Sequence, residues 1–136
     1  ELQDASVCRE EWKDSADVVL CDVPCSGLGI IRKKPEIRFK NPDEIQTLPE
    51  IQARILANCA QYVKKGGTLV YSTCTILQRE NEDVVRAFLT ENPEFEAVSW
   101  THPVCGERAD GMVTLLPPVH NTDGFFIAKL HRKSGE

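Results

Sequence analysis

The 136 residues, 41% of them hydrophobic, suffice for one compact domain with a modest core and are too few for two. A net charge of −5 at pH 7 excludes a chain coated in basic surface, so any nucleic acid must be held by a local patch. No run approaches the roughly 18 apolar residues of a membrane span, and residues 1–10 (ELQDASVCRE) lack the basic and apolar regions of a signal peptide, so a soluble, cytoplasmic protein is expected.

In chain order, Asp17-Val18-Val19-Leu20-Cys21-Asp22 is a short apolar run followed by Pro24 and Gly27, which predicts a fully buried, parallel strand. From Pro42 to Val63, Ile45, Leu48, Ile51, Ile55, Leu56, Cys59, Ala60 and Val63 recur at helical spacing. Pro49 suits a first helical turn, so a short turn followed by a main helix from about Pro49 is predicted, ended by Gly66-Gly67. Thr68-Leu69-Val70-Tyr71-Ser72 reads as a second buried strand. Residues 80–91 carry Val84, Val85, Phe88 and Leu89 on one face, a second amphipathic helix that stops before Pro93. Residues 95–100 and 125–131 are further strands, and the stretch between them, rich in Pro, Gly and His, is predicted to be a long loop.

Alternating strands and helices imply an α/β domain with a parallel sheet, whose sites lie at the carboxyl ends of strands. Two cysteines stand at such ends: Cys25 in Asp22-Val23-Pro24-Cys25-Ser26-Gly27 and Cys74 in Ser72-Thr73-Cys74-Thr75. If the two strands are neighbours, both loops open into one crevice. The other cysteines are Cys8, Cys21, Cys59 and Cys105; their spacing is not that of a secreted disulfide scaffold, and no Cys-x-x-Cys repeat supports zinc, so reduced thiols and no metal are expected. Arg32, Lys33, Lys34, Arg38 and Lys40 stand against Glu36 alone, a net charge of +4 in residues 32–40, and form the one local patch suited to phosphate. His120, beside Asn121, has no role assigned.

Together the two cysteine motifs, about fifty residues apart, resemble the signature motifs of RNA cytosine-5 methyltransferases. The resemblance extends to Gly29-Ile30-Ile31-Arg32-Lys33-Lys34-Pro35-Glu36-Ile37-Arg38 and to residues 123–130 (DGFFIAKL), and thus covers nearly the whole chain; the basic segment is most similar to the bacterial small-subunit ribosomal RNA enzymes of the Fmu or Sun type. It implies S-adenosylmethionine as cofactor and ribosomal RNA as partner. Carbon 5 of cytosine is a poor nucleophile, and a thiolate adding to carbon 6 converts the ring into an enamine able to attack a methyl sulfonium. The resemblance makes Cys74 that nucleophile, Cys25 the residue that helps release the product, and Asp22 the acid that meets both base and cofactor. Pro24 joins Asp22 at the cofactor, and Asp4, eighteen residues before Asp22, matches an acid on its adenosine part.

The family's glycine-rich cofactor loop, Asp-x-Cys-Ala-Ala-Pro-Gly-Gly-Lys, does not occur in residues 1–136, and the chain begins with Glu1 rather than Met. The resemblance therefore implies the C-terminal half of a Rossmann-like methyltransferase sheet, parallel strands with an antiparallel edge hairpin, within a partial catalytic domain spanning 1–136. Weak cofactor binding by the chain alone and self-association through the open edge of its first strand are expected. Two other readings stay open: a noncatalytic RNA-binding module built on the basic loop 32–40, and a thiol redox or metal protein built on Cys21 and Cys25.

Overall fold

The computed structural model describes residues 4–31, 33–120 and 122–134, apart from the side chains of residues 38 and 39. Arg32 and the side chain of Arg38 thus lie outside the described residues. Strand β1 (Ala16–Asp22) leads through the motif loop to helix α1 (Pro42–Ala60), strand β2 (Val63–Thr73) and helix α2 (Glu82–Glu91). Short strands β3 (Phe95–Ala97), β4 (Trp100–His102), β5 (Gly106–Arg108) and β6 (Met112–Leu115) follow, then the one-turn helix α3 (Pro117–His120) and strand β7 (Phe125–Arg132).

The main sheet runs β1-β2-β7-β3, and β6 joins β7 on the same edge as β3 but nearer the start of β7. β1 and β2 are parallel, whereas β7 is antiparallel to β2, β3 and β6. This is the mixed α/β sheet expected, with the β6–β7 pair as its antiparallel hairpin. The single strand predicted over 95–100 is two, β3 in the main sheet and β4 outside it, and the described residues of the predicted loop 101–124 carry further strands: β5 pairs with β4 in a separate hairpin, and β6 continues the sheet. Their strands are three or four residues long, too short for an alternating pattern to register.

Leu69 and Tyr71 of β2 and Phe126, Ala128 and Leu130 of β7 are all fully buried against Ile55 and Leu56 of α1 and Val84, Val85 and Phe88 of α2. Fully burying each Leu, Ile, Val or Phe side chain among them is worth about 1.5–3 kcal/mol. Both helices cover one face of the sheet. On the other, Val18 is 64% and Leu20 67% exposed, so the prediction of a fully buried β1 fails. An apolar run marks a strand able to be covered on both sides; among the described residues only one side is covered, and β1 is the edge strand.

Two further differences concern proline and glycine. Helix α1 is continuous through Pro49 rather than starting there. Pro49 cannot donate to the carbonyl of Ile45, but the Asn41 side chain caps the helix by accepting from the Asp43 N–H (2.9 Å), Pro42 pre-sets the first turn, and Ile45 is buried. Gly66-Gly67 does not end the helix, which stops at Ala60; the pair lies in β2, where that strand advances from Val63 to Thr68 while β1 advances only from Ala16 to Val18. A Cβ on Gly67 would lie 2.9 Å from the Asp17 carbonyl oxygen, so the bulge requires glycine there.

Backbone contacts tie three loops together beyond the strand ends. The Gly29 N–H donates to the Cys74 carbonyl (2.9 Å), and the Gly124 N–H donates to the Gly29 carbonyl (2.6 Å). A Cβ on Gly29 would meet the Gly124 carbonyl oxygen at 2.0 Å and the Cys74 carbonyl oxygen at 2.7 Å, both main-chain atoms that cannot swing aside. Gly29→Ala is therefore expected to cost about 3 kcal/mol or more, the upper range for overpacking, measured by urea unfolding with an unchanged m-value.

Candidate active site

β1 and β2 pair with Asp22 opposite Ser72, so both strands end at the same level. The pairing continues one step through the Val23 N–H to the Ser72 carbonyl (3.2 Å), and the two chains then part, one into Pro24-Cys25-Ser26 and the other into Cys74-Thr75. The Gln52 amide of α1 donates to the Pro24 carbonyl (2.9 Å) and anchors the first loop on the helix. In the second loop the Thr73 hydroxyl donates to the Asn81 side-chain oxygen (2.6 Å), and the Asn81 amide donates to the Thr75 carbonyl (2.9 Å). Both loops are thus held before any ligand arrives.

The two sulfurs lie 3.0 Å apart, and the Cys74 N–H points at the Cys25 sulfur (3.3 Å). Both residues are half-buried and line a cleft of about 720 Å³ that also takes in Asp22, Pro24, Lys34, Lys40, Ser72 and Phe125. Burial, and then the hydrogen bond to Cys74, push the Cys25 thiol up to about 12, so it keeps its proton at any ordinary pH. Asp22 accepts from the Ser72 hydroxyl through one oxygen (3.0 Å) and is exposed at the rim.

The remaining sequence candidates fall elsewhere. Asp4 is exposed, is not among the cleft-lining residues, and turns its carboxylate onto the Ser6 N–H and hydroxyl (2.9 and 2.7 Å), bonds that hold its pKa below the usual carboxylate value. Of the basic segment, Lys34 is exposed at the cleft; Lys33 instead pairs with the buried Asp123 (2.7 Å), and Lys40 donates to the Ser26 carbonyl (2.9 Å). Cys21 faces Cys59 of α1 across the core, not Cys25, because alternation along β1 sends its side chain to the helix side. The six cysteines are free thiols, and no group of three or more His, Cys, Asp or Glu side chains placed to hold a metal occurs among the described residues. His120 accepts from the Leu116 N–H and closes the turn of α3.

Phe125, Ser26, Thr75 and Glu80 were not singled out in sequence. Phe125 follows Gly124 directly, and its place beside the cleft depends on the Gly29–Gly124 contact. Ser26, Thr75 and Glu80 are polar residues with no surface exposure, which nothing in local composition reveals.

Comparison with known proteins bears on the same residues. A family model described as 16S rRNA methyltransferase RsmB/F matches residues 2–131. A probable ribosomal RNA small subunit methyltransferase B of Bacillus subtilis is 43% identical over 98% of the chain, which spans 31% of that relative's length. Among solved structures, PH0851 superposes with a TM-score of 0.88 at 38% identity, covering 96% of this chain and 30% of its own. NSun6 from Pyrococcus horikoshii, solved with SFG, gives 0.71 at 28% identity over 86% of this chain and 30% of its own. Because the match runs from residue 2 to residue 131, and so takes in both cysteine loops and the sheet that joins them, the chain belongs to the 16S rRNA methyltransferase RsmB/F family.

Proposed function

We propose that these residues form part of the catalytic domain of an enzyme that transfers a methyl group from S-adenosylmethionine to carbon 5 of a cytidine in small-subunit ribosomal RNA, through a covalent adduct on Cys74. The observation that carries this reading is the 3.0 Å pair of thiols at the edge of a cleft large enough for a nucleoside. Membership of the family and the names of the relatives support ribosomal RNA as the substrate.

Cys74 attacks carbon 6, and Asp22 steadies the adduct at ring nitrogen 3 and the exocyclic amine. Release requires loss of the carbon 5 proton and cleavage of the carbon–sulfur bond. Cys25 gives its proton to the departing Cys74 sulfur and, as the thiolate so formed, takes the proton from carbon 5. A thiol with its pKa raised to about 12 suits this role, since it starts protonated and becomes a strong base once it has given the proton away.

S-adenosylmethionine supplies the electrophilic methyl group when bound; SFG, an analogue of it, accompanies the similar NSun6. The residues present fit one wall of its site: Asp22 has a second carboxyl oxygen carrying no hydrogen bond among the described residues, and Pro24 lines the same rim. Asp4, committed to Ser6, adds nothing there in this arrangement. The rest of the wall belongs to the glycine-rich loop, outside residues 1–136. Self-association through the open β1 edge, with Val18 and Leu20 exposed, is part of the same reading.

Phosphate contact rests on Lys34, together with Arg32 and Arg38. Lys33 and Lys40 are exposed but already engaged, with Asp123 and with the Ser26 carbonyl, which weakens the rival reading of a module that uses the basic loop alone.

Three outcomes test this. The full-length protein, incubated with S-adenosylmethionine and RNA containing 5-fluorocytidine, should form a covalent adduct on gels; a Cys74→Ala variant that still forms it sinks the assignment. Iodoacetamide should leave Cys25 nearly unlabelled at pH 8, with labelling rising only toward pH 12, as followed by peptide mass mapping. Lys34→Ala should weaken RNA binding and lower the slope of log affinity against log salt by about 1.

A further inference from the structure

Glu80 is 0% exposed, and no ion pair to it occurs among the described residues. Its Oε1 accepts from the Ser26 N–H (2.8 Å) and the Gln52 amide (3.0 Å), and its Oε2 from the Ser26 hydroxyl (2.8 Å) and the Thr75 hydroxyl (3.1 Å). One buried carboxyl group thus gathers the Ser26 N–H, the Gln52 amide and the two hydroxyl protons that Ser26 Oγ, Thr75 Oγ1 and its own Oε2 share. The Ser26 and Thr75 hydroxyls also meet each other at 2.8 Å. Ser26 directly follows Cys25, and Thr75 directly follows Cys74, so the residue after each thiol is tied to the same carboxylate. Lys40 holds the Ser26 carbonyl from the other side (2.9 Å), and the Glu80 carbonyl accepts from the buried Tyr71 hydroxyl of β2 (2.6 Å), which fixes the backbone that carries the carboxylate.

Burying a carboxyl group without a cation beside it is costly unless its hydrogen bonds are met, and here each bond it accepts comes from a residue of the two cysteine loops or of α1. We infer that Glu80 is a positioning residue for the proposed reaction, joining the two cysteine loops through Ser26 and Thr75 so that the Cys25 and Cys74 sulfurs stand within reach of each other. It touches neither sulfur and acts only through the residues beside them. The clamp rests on the proposed roles of Cys25 and Cys74 for its importance in methyl transfer, but its geometric effect exists whether or not those roles hold.

The geometric effect is measurable as the effective concentration of one thiol for the other. The 136-residue chain is equilibrated with oxidised and reduced glutathione, and the Cys25–Cys74 disulfide is quantified by peptide mass mapping. In that exchange oxidised glutathione takes up the two electrons and both protons as two reduced molecules. The Cys21–Cys59 pair, which has no hydrogen bond from Glu80, serves as the internal control. Glu80→Ala should lower the Cys25–Cys74 constant at least tenfold, about 30 mV, while the control pair stays within twofold. Glu80→Gln should restore most of it, since one oxygen still accepts from Ser26 and Gln52 while the hydroxyls rotate to accept from the new amide.

A folded Glu80→Ala chain with an unchanged constant, or with both thiol pairs weakened alike, overturns the inference. Should Glu80→Ala fail to fold, Ser26→Ala and Thr75→Val decide. Each should lower the constant, and together by less than the product of their separate effects, because both act through one carboxylate; no effect of either overturns the inference. Failure of the fluorocytidine adduct would instead remove the catalytic reading and leave this measurement standing.

Discussion

Everything at the site depends on the parallel pairing of β1 with β2 in the register that sets Asp22 opposite Ser72. Side chains alternate along a strand, so a slip of one residue would turn Cys21 toward the cleft and Asp22 into the core. It would also separate the two loops along the strand direction by about 3.3 Å, more than the present distance between the sulfurs. The register is held on the helix side by Cys21, Leu69 and Tyr71 packing against α1 and α2, and by the glycine bulge that absorbs the mismatch at the beginning of β2. A hydrophobic requirement at one end of the strands thus sets a chemical geometry at the other.

The polar network behind the cysteines is the second layer of the same device. Gln52 from α1, Glu80 from the turn before α2, and Asn81 beside it bring helix-borne groups to the backs of both loops. Bonds from buried side chains to main-chain atoms hold loops more firmly than loop residues can hold themselves, because the donors are already ordered by packing. Lys33 and Lys40 belong to this layer too: though exposed, each is engaged with a buried partner, Asp123 and the Ser26 carbonyl, and so Lys40 joins the basic segment to the first cysteine loop. RNA bound along Lys34 would therefore press on a segment physically continuous with the thiol pair.

The open face of β1 shows a different economy. Val18 and Leu20 are apolar and exposed side by side on one face of a strand, whereas the helix side of the same sheet is covered. A doubly wound sheet is covered on both faces, and this chain spans under a third of the Bacillus subtilis relative. The exposed pair is consistent with the proposal that these residues are one part of a larger catalytic domain.

Much of this was legible in residue order alone. Helical periodicity located α2 and the body of α1, though not the ends of α1, short apolar runs located β1 and the main part of β2, and the strand-end positions of Cys25 and Cys74 followed from strand, helix, strand alternation. What periodicity could not register was whatever depends on partners distant in sequence. The short strands β4, β5 and β6 depend on a hairpin mate or on β7 to complete their hydrogen bonds; β1 loses burial on one face because nothing described covers it; Pro49 stays within a helix because Asn41 and the buried Ile45 support the turns before it. The same division holds at the site. Residue types and spacing placed two thiols and an acid at the ends of successive strands, and the pairing of β1 with β2 made those ends neighbours. Only tertiary structure decided that the sulfurs lie 3.0 Å apart, that two of the lysines are engaged by Asp123 and the Ser26 carbonyl, and that Glu80 stands behind both loops, since each of these is a contact between groups that composition and periodicity treat as independent.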